Sequence, residues 1–418
     1  MMDASLHTHQ TQGSRMHTRT RRTLIALVSS AALLLTAAPA HAAPTADGPI
    51  AISPGTPIPV TGNGYGHGHG MSQWGAKGAA TAGLSAQQIV AFYYPGTTPS
   101  TLSTSIKVLI TADADNNLTV YNERGLRVRD LGNGRTFKLH TKHTPRVWRL
   151  LQKNGHTKVF YKTSRWHLYK TAGRRSLAGD GEFRAPGGTT LKLKSGPRRY
   201  RGALRFTNTD TVNVLNLEKY LRGVVPAEMP STWPAAALQA QAIAARTYAA
   251  RARADRVDSY YQICDTTACQ VYGGVASEKD TTNAAVAATA GQVLVAPDST
   301  YAFTQFASSN GGWSSAGSQP YLVAQADSYD AAASPYHHWT VAADPAKLQA
   351  AYPQIGTLQS VQITQREGGR PFDGGGWVQT VHLAGMNGAT PTALDISGDD
   401  FRRVYGLRSA YFTFDTVA

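Results

Sequence analysis

The chain has 418 residues, 42% of them hydrophobic, which is enough for one large domain or two ordinary ones. Charged residues are sparse at 16%, whereas 40 glycines and 21 prolines point to many turns and a strand-rich body. A formal charge of +15 suits an anionic partner or a merely solvated surface, but no helix-turn-helix or zinc-finger spacing accompanies it, so nucleic acid is not expected.

The first 42 residues read as an export signal. Arg19, Arg21 and Arg22 precede a short apolar run from Leu24 to Leu35, and Ala40-His41-Ala42 fits a small-x-small cleavage site. The run is too short and too rich in Ala and Ser for a membrane span. Thr20-Arg21-Arg22-Thr23-Leu24 leaves both the ordinary secretory and the twin-arginine routes open. Arg15, Arg19, Arg21 and Arg22 against Asp3 carry +3, leaving +12 beyond residue 42. On an exported protein that excess favours anionic wall polymers.

Residues 43–60 are Pro-rich and predict a linker. Residues 61–105 hold the segment GYGHGHGMSQWGAKGAA. Ser72 is positioned to cap a short helix through Ala82, and Ser85-Ala86-Gln87-Gln88 is a capping box for a second helix that Pro95-Gly96 stops. Residues 106–206 alternate apolar and polar (IKVLI, LTVY, FKLH, KVFYK, TLKLK, ALRF) between Asn-Gly and Pro-Gly-Gly turns, predicting a β-rich insert, a meander or small barrel. Its many arginines and lysines fit either a spacer or an anion-binding face.

Residues 207–418 change character. VNVLNLEKYLRGVVPAEMPSTW leads into an alanine-rich helix over 234–254 with Pro234 in its first turn, and strands and Gly-rich loops follow. Cys264 and Cys269 are the two cysteines of the chain; in an exported protein the pair reads as a disulfide, with zinc the weaker alternative. The alternating glycines around His67 and His69 suit a backbone that approaches a ligand or another strand closely.

GYGHGHGMSQWGA, LEKYLRGVVPAEMPSTWPAAALQAQAIAARTYAA, CDTTACQVYGG, FASSNGGWSSAG and the tail GDDFRRVYGLRSAYF together resemble the SpoIID/LytB family (stage II sporulation protein D and the amidase enhancer LytB). The resemblance covers about 61–100 and 207–418. In many members the Gly-His segment lies near the C-terminus; here it comes first, as in a circular permutation, which implies that it folds back onto 207–418. The fold implied is α+β, a SpoIID-like catalytic domain carrying the small all-β insert.

The resemblance implies an exported peptidoglycan lytic transglycosylase that cleaves between N-acetylmuramic acid and N-acetylglucosamine, or a non-catalytic wall binder or amidase activator of the LytB type. The family's catalytic acid falls on Glu228 in Pro226-Ala227-Glu228-Met229-Pro230. Its apolar neighbours in sequence would keep such a carboxyl protonated near neutral pH. Glu218 reads as an exposed carboxylate paired with Lys219 or Arg222. Arg246 of Ala-Arg-Thr-Tyr matches a family active-site position and, with Tyr248, Gln270, Tyr272, Ser308, Ser309, Gly311, Gly312, His67, His69, Ser72 and Gln73, is expected to bind substrate. Among Trp74, Trp233, Trp313, Tyr272 and Trp339, a few are expected to stack on sugar rings. No cofactor or metal is implied. The expected partners are peptidoglycan strands, other anionic wall polymers and a wall amidase, on the outer side of the membrane.

Overall fold

The computed structural model describes residues 47–53 and 55–415; the export signal expected over 1–42 lies outside them. The fold is α+β. Its helices are α1 (Gln73–Thr81), α2 (Ala86–Tyr93), α3 (Leu217–Glu228), α4 (Ala235–Asp255), α5 (Asp280–Ala288), α6 (Ser328–Ala333), α7 (Pro345–Ala351) and α8 (Gly398–Tyr405). Local chemistry sets the ends of the first two. The Ser72 hydroxyl accepts the Gly75 N–H at the start of α1, and Ser85 and Gln88 exchange both capping-box bonds at the start of α2.

Residues 106–206 contain strands and turns and no helix. They do not close on a core of their own. The strand Ser105–Leu109 pairs with Asp210–Asn216, which continues through Ala203–Thr207, Gly181–Arg184 and Arg127–Asp130 to Thr136–Lys138 in a seven-stranded sheet. A six-stranded sheet, ordered Trp166–Tyr169, His156–Lys162, Val147–Lys153, Leu118–Tyr121, Thr189–Leu193 and Gly196–Tyr200, shares its core. That core runs on from Trp148, Leu150 and Phe183 into Tyr220, Leu221, Val224 and Ala245 of α3 and α4. The β-rich segment is thus bonded to the helical one by continuous apolar burial, the dominant favourable contribution to folding.

The expected linker over 43–60 is corrected in part. Ile50–Ala51 pairs with Thr357–Arg366, and Ile58–Gly62 is the central strand between Trp339–Ala343 and Phe412–Phe414. Ile58 and Val60 alternate into the core with Phe412 and Phe414, so the apolar pattern outweighs Pro59, which lies one residue before the pairing with Phe412–Phe414 begins.

Helix α4 occupies the centre. Ala237, Ala240, Ala242, Ala244, Ala245, Ala249 and Ala250 are buried, and methyl side chains let α1, α2, α3 and α5 approach it closely. The Gly-His segment folds back as expected. Tyr65 and Ser309 exchange backbone hydrogen bonds of 2.8 and 3.0 Å, the Gly66 N–H donates to the Arg408 carbonyl, and Met71–Ser72 runs parallel to Phe306–Ala307. Gly68 (φ +76°) and Gly70 (φ +67°) explain the glycine spacing. A Cβ at Gly68 would lie 2.3 Å from the Trp377 ring, and one at Gly70 would lie 2.2 Å from the Gln305 carbonyl oxygen.

Candidate functional site

Asn216 caps α3 through the Glu218 N–H, and the helix buries Leu217, Tyr220, Leu221, Val224 and Val225. It stops at Met229, the residue before Pro230, because a preceding proline disfavours helical geometry. Glu228 is therefore the last helical residue, on the wall of a cleft of about 580 Å³. Its Oε1 accepts the Val271 backbone N–H at 2.8 Å. Burial pushes its pKa above the usual carboxylate range, and the Val271 bond opposes this only in part. The negative end of the α3 dipole acts in the same direction as burial. Among the described residues lining the cleft, Glu228 is the sole carboxylate.

The opposite wall comes from the Gly-His segment and from 305–308, with Tyr65, Gly66, His67, Gln73, Phe306 and Ser308 facing the same space. The His67 pKa is lowered to about 4, chiefly by burial and next by His69. Its Nδ1 accepts the His69 backbone N–H at 3.0 Å, so a neutral ring carries its proton on Nε2. His67 is a neutral wall group, whereas His69 stacks against it and reaches the Ser315 carbonyl without lining the cleft.

The floor is the loop closed by the Cys264–Cys269 disulfide, with Thr267, Ala268 and Cys269 exposed to the cleft and Val271 two residues on. Both cysteines are used by the bridge. Among the described residues no group of three or more His, Cys, Asp or Glu side chains is placed to hold a metal ion.

Several expected binding residues lie elsewhere. Arg246 is fully buried and does not line the cleft. Its guanidinium grips Glu218 with bonds of 2.8 and 2.7 Å and donates to the Ala242, Val286 and Gln292 carbonyls. The expected pairing of Glu218 with Lys219 or Arg222 is corrected accordingly: Lys219, adjacent on the helix, does not face it, and although Arg222 is one turn on, both carboxylate oxygens are taken by Arg246. Gln270 is internal, bridging Tyr220 and the Ala245 carbonyl. Tyr272 packs on Tyr200 and Tyr220 with its hydroxyl on Asn213.

Ser72, Ser309, Gly311 and Gly312 belong to a buried lock rather than to the groove. Asp330 accepts from the Ser72 and Ser309 hydroxyls and from the Asn310 and Gly312 N–H groups. Asp327 accepts from Tyr93 and Asn310 at 2.7 and 2.8 Å. Gly311 makes the backbone turn against Asn63 and Gly64. Of the expected binding residues, Tyr248, Ser308, His67 and Gln73 do line the cleft with Glu228.

None of the tryptophans lines the cleft. Trp74 packs on Trp233 at 4.7 Å under Lys77, Trp339 donates to the Gly64 carbonyl, and Trp313 contacts Gly375 and Arg370. The cleft aromatics are instead Tyr65, Tyr248 and Phe306. Sequence reasoning also passed over Arg402, which lines the cleft from α8, although the GDDFRRVYGL segment itself stood out.

A smaller hollow of about 200 Å³ adjoins one end of the cleft through Tyr248, Ala268 and Cys269 and carries Arg251 and Arg256. Another hollow of about 580 Å³ adjoins the other end through Tyr65 and Arg402. Through these shared residues the Glu228 cleft continues into both hollows as one furrow; each hollow carries arginines, and Asp255, paired with Arg251, also lines the smaller one.

Part of the chain that builds this cleft is similar to known proteins. A family model described as SpoIID, stage II sporulation protein, matches residues 205–295, the span of α3, α4 and the disulfide loop. The amidase enhancer of Bacillus subtilis (strain 168) is 41% identical over 127 residues, which is 29% of this chain and 16% of that protein. Stage II sporulation protein D of Bacillus amyloliquefaciens is 31% identical over 230 residues, 49% of this chain and 62% of the relative. The Bacillus subtilis (strain 168) protein of the same name is 29% identical over an equal span. The chain spans less than two thirds of the length of each of these relatives.

Proposed function

Starting from a chain that belongs to the SpoIID/LytB family through its 205–295 segment, we propose that it is an exported cell-wall enzyme, a peptidoglycan lytic transglycosylase with Glu228 as its acid and base. The observation that carries this reading is a single protonatable carboxyl, partly buried, held by one backbone N–H and alone among the carboxylates that line its cleft.

A protonated Glu228 donates its proton to the oxygen joining muramic acid C1 to the next sugar. The C1–O bond breaks as positive charge builds on the ring, and the departing sugar leaves with a free hydroxyl. The Glu228 carboxylate then takes the proton of the muramoyl C6 hydroxyl while that oxygen attacks C1, which closes a 1,6-anhydro ring and restores the acid. No water is consumed. A glycosidase that hydrolyses its substrate by the common routes needs a second carboxylate, to activate water or to bond to C1. An intramolecular nucleophile removes that need, which fits the lone acid of this cleft.

The surrounding residues serve this sequence. The Val271 N–H orients Glu228 without pairing it to a cation, so the carboxyl retains its proton donor form. Neutral His67 and the Tyr248 hydroxyl, whose pKa burial raises, supply uncharged polar contacts along the glycan. Localisation outside the membrane follows from the proposed substrate and from the leader expected in the sequence; among the described residues no helix is long and apolar enough to cross a bilayer.

A second reading, amidase activation without glycan cleavage, is favoured by the similarity to the amidase enhancer of Bacillus subtilis (strain 168). Mass spectrometry of glycans digested by the wild-type chain and by Glu228→Gln separates the two. The enzyme yields anhydro-ended products that the variant does not, whereas an activator leaves glycan lengths unchanged in both.

A further inference from the structure

The hollow that adjoins the Glu228 cleft is walled by Tyr65, Tyr336, Arg402, Arg403, Leu407 and Arg408. Tyr65 is 45% exposed, unusual for so large an aromatic side chain. Its ring meets the edge of Tyr336 at 5.1 Å, and the Arg408 guanidinium lies over Tyr336 at 5.2 Å. Packed against Tyr336, Tyr65 lines both the cleft and this hollow. The Gly66 N–H bonds the Arg408 carbonyl at 2.9 Å, which ties this surface to the His67 wall of the cleft.

The arginines differ in their commitments. Arg403 is engaged with Asp400 one turn away. Arg402 has only Asp399 nearby, at 3.6 Å, and its Nε is closed to solvent without a hydrogen-bond partner. Among the described residues the Arg408 side chain donates no hydrogen bond to a carboxylate, nor does it stand in an ion pair. The Nε of Arg402 is out of a ligand's reach, so what the hollow offers an anion is the rest of the Arg402 guanidinium together with Arg408, both of which line it. The fork geometry of guanidinium matches a carboxylate or a phosphate.

We propose that Tyr65, Tyr336, Arg402 and Arg408 form a second sugar subsite of the furrow, one that selects a ring carrying an oxyanion substituent. This rests on the glycan-cleaving reading given above. Tyr65 stacks on the ring, and Arg402 and Arg408 bond the anionic group. On a wall glycan that group is either the lactyl carboxylate of a muramic acid without its peptide or the phosphate of an attached polyol-phosphate chain.

The test uses the full chain carrying Glu228→Gln, so that bound strands stay intact. Binding is measured to peptide-free glycan strands, to the same strands with their carboxylates converted to amides, and with glycerol-phosphate polymer as competitor. Amide conversion is expected to weaken binding about tenfold or more, the loss of a charge-assisted hydrogen bond. Arg402→Gln and Arg408→Gln, each added to Glu228→Gln, should lose as much on free strands and nothing further on amidated ones. If amide conversion has no effect and the phosphate polymer displaces the strands from Arg402 and Arg408, the anionic group is the phosphate.

Equal affinity for free and amidated strands without displacement by the polymer overturns the subsite. So does an equal loss on both strand types in the arginine variants when their urea midpoints match the parent. Product analysis of the wild-type chain keeps the two proposals apart. Anhydro ends without carboxylate or phosphate discrimination refute only the subsite, and discrimination without anhydro ends refutes only the cleavage.

Discussion

Replacing Glu218 by Gln isolates what Arg246 does. The Arg246 side chain is fully buried, and Glu218 supplies its only ion pair among the described residues, through bonds of 2.8 and 2.7 Å. Removing that charge leaves a guanidinium in the core held by neutral carbonyls alone. Breaking a buried pair from one side costs about 3–5 kcal/mol, and because the Glu218 side chain remains 28% exposed the lower end, about 3 kcal/mol, applies. With an unfolding entropy of about 2.1 cal/mol/K per residue, a unit of this size loses roughly 4 °C in Tm. Thermal and urea denaturation, run beside glycan digestion, provide the assay. Glu218→Gln and Arg246→Gln should both melt early, while the protein still folded cleaves glycan with an unaltered pH profile. An Arg246→Gln variant of wild-type stability that has lost its activity would refute the structural assignment and return Arg246 to the reaction.

The raised pKa of Glu228 predicts an alkaline limb in the activity profile. Activity is present while the acid holds its proton and falls as pH rises through its folded-state pKa, above the usual carboxylate range; a flat profile across that range would contradict the acid role. The same shift opposes folding. The folded state holds the proton more tightly than the unfolded one, so stability declines as pH rises from the unfolded pKa through the folded one, and Glu228→Gln should be the more stable protein at neutral pH but not at pH about 3. Mutating Cys264 and Cys269 to Ser should cost about 2 kcal/mol by loop entropy and lower kcat more than it raises KM, because the loop carries the Val271 N–H to Glu228; unchanged kcat at unchanged fold would refute that link. Asp330→Ala removes the only acceptor of the Ser309 hydroxyl and the Asn310 N–H, and one of two acceptors of the Ser72 hydroxyl and the Gly312 N–H, with an expected loss of about 3 kcal/mol in urea denaturation.

Much of the fold was readable because its causes are local. Ser72 and Ser85 announce helix starts through bonds to residues three positions on, and the alternating segments of 106–206 became the strands they predicted. The Gly-His spacing likewise pointed to close backbone approach, which Gly68 and Gly70 display against Trp377 and Gln305. What could not be read depends on distant partners. Arg246 is expected at the substrate because Ala-Arg-Thr-Tyr matches a family active-site position; its counter-charge lies 28 residues away on α3, out of sight of that motif. The hydroxyls and glycines of FASSNGGW looked like sugar ligands, but Asp327 and Asp330, inconspicuous in sequence, turn most of them inward. Arg402 and Tyr65 meet only through tertiary packing that joins the two ends of the chain. The shared core of the β-rich segment and α3 is likewise a property of long-range pairing, invisible to periodicity.

The central claim is that one carboxyl, at position 228, both gives and takes the proton during cleavage. Digestion of purified peptide-free glycan in water enriched in ¹⁸O, followed by mass spectrometry, addresses it most directly. The account predicts muramoyl ends lighter than the hydrolytic product by one water and free of ¹⁸O, formed by the wild-type chain and absent with Glu228→Gln. Reducing ends labelled with ¹⁸O, or anhydro ends undiminished in the variant, would contradict it.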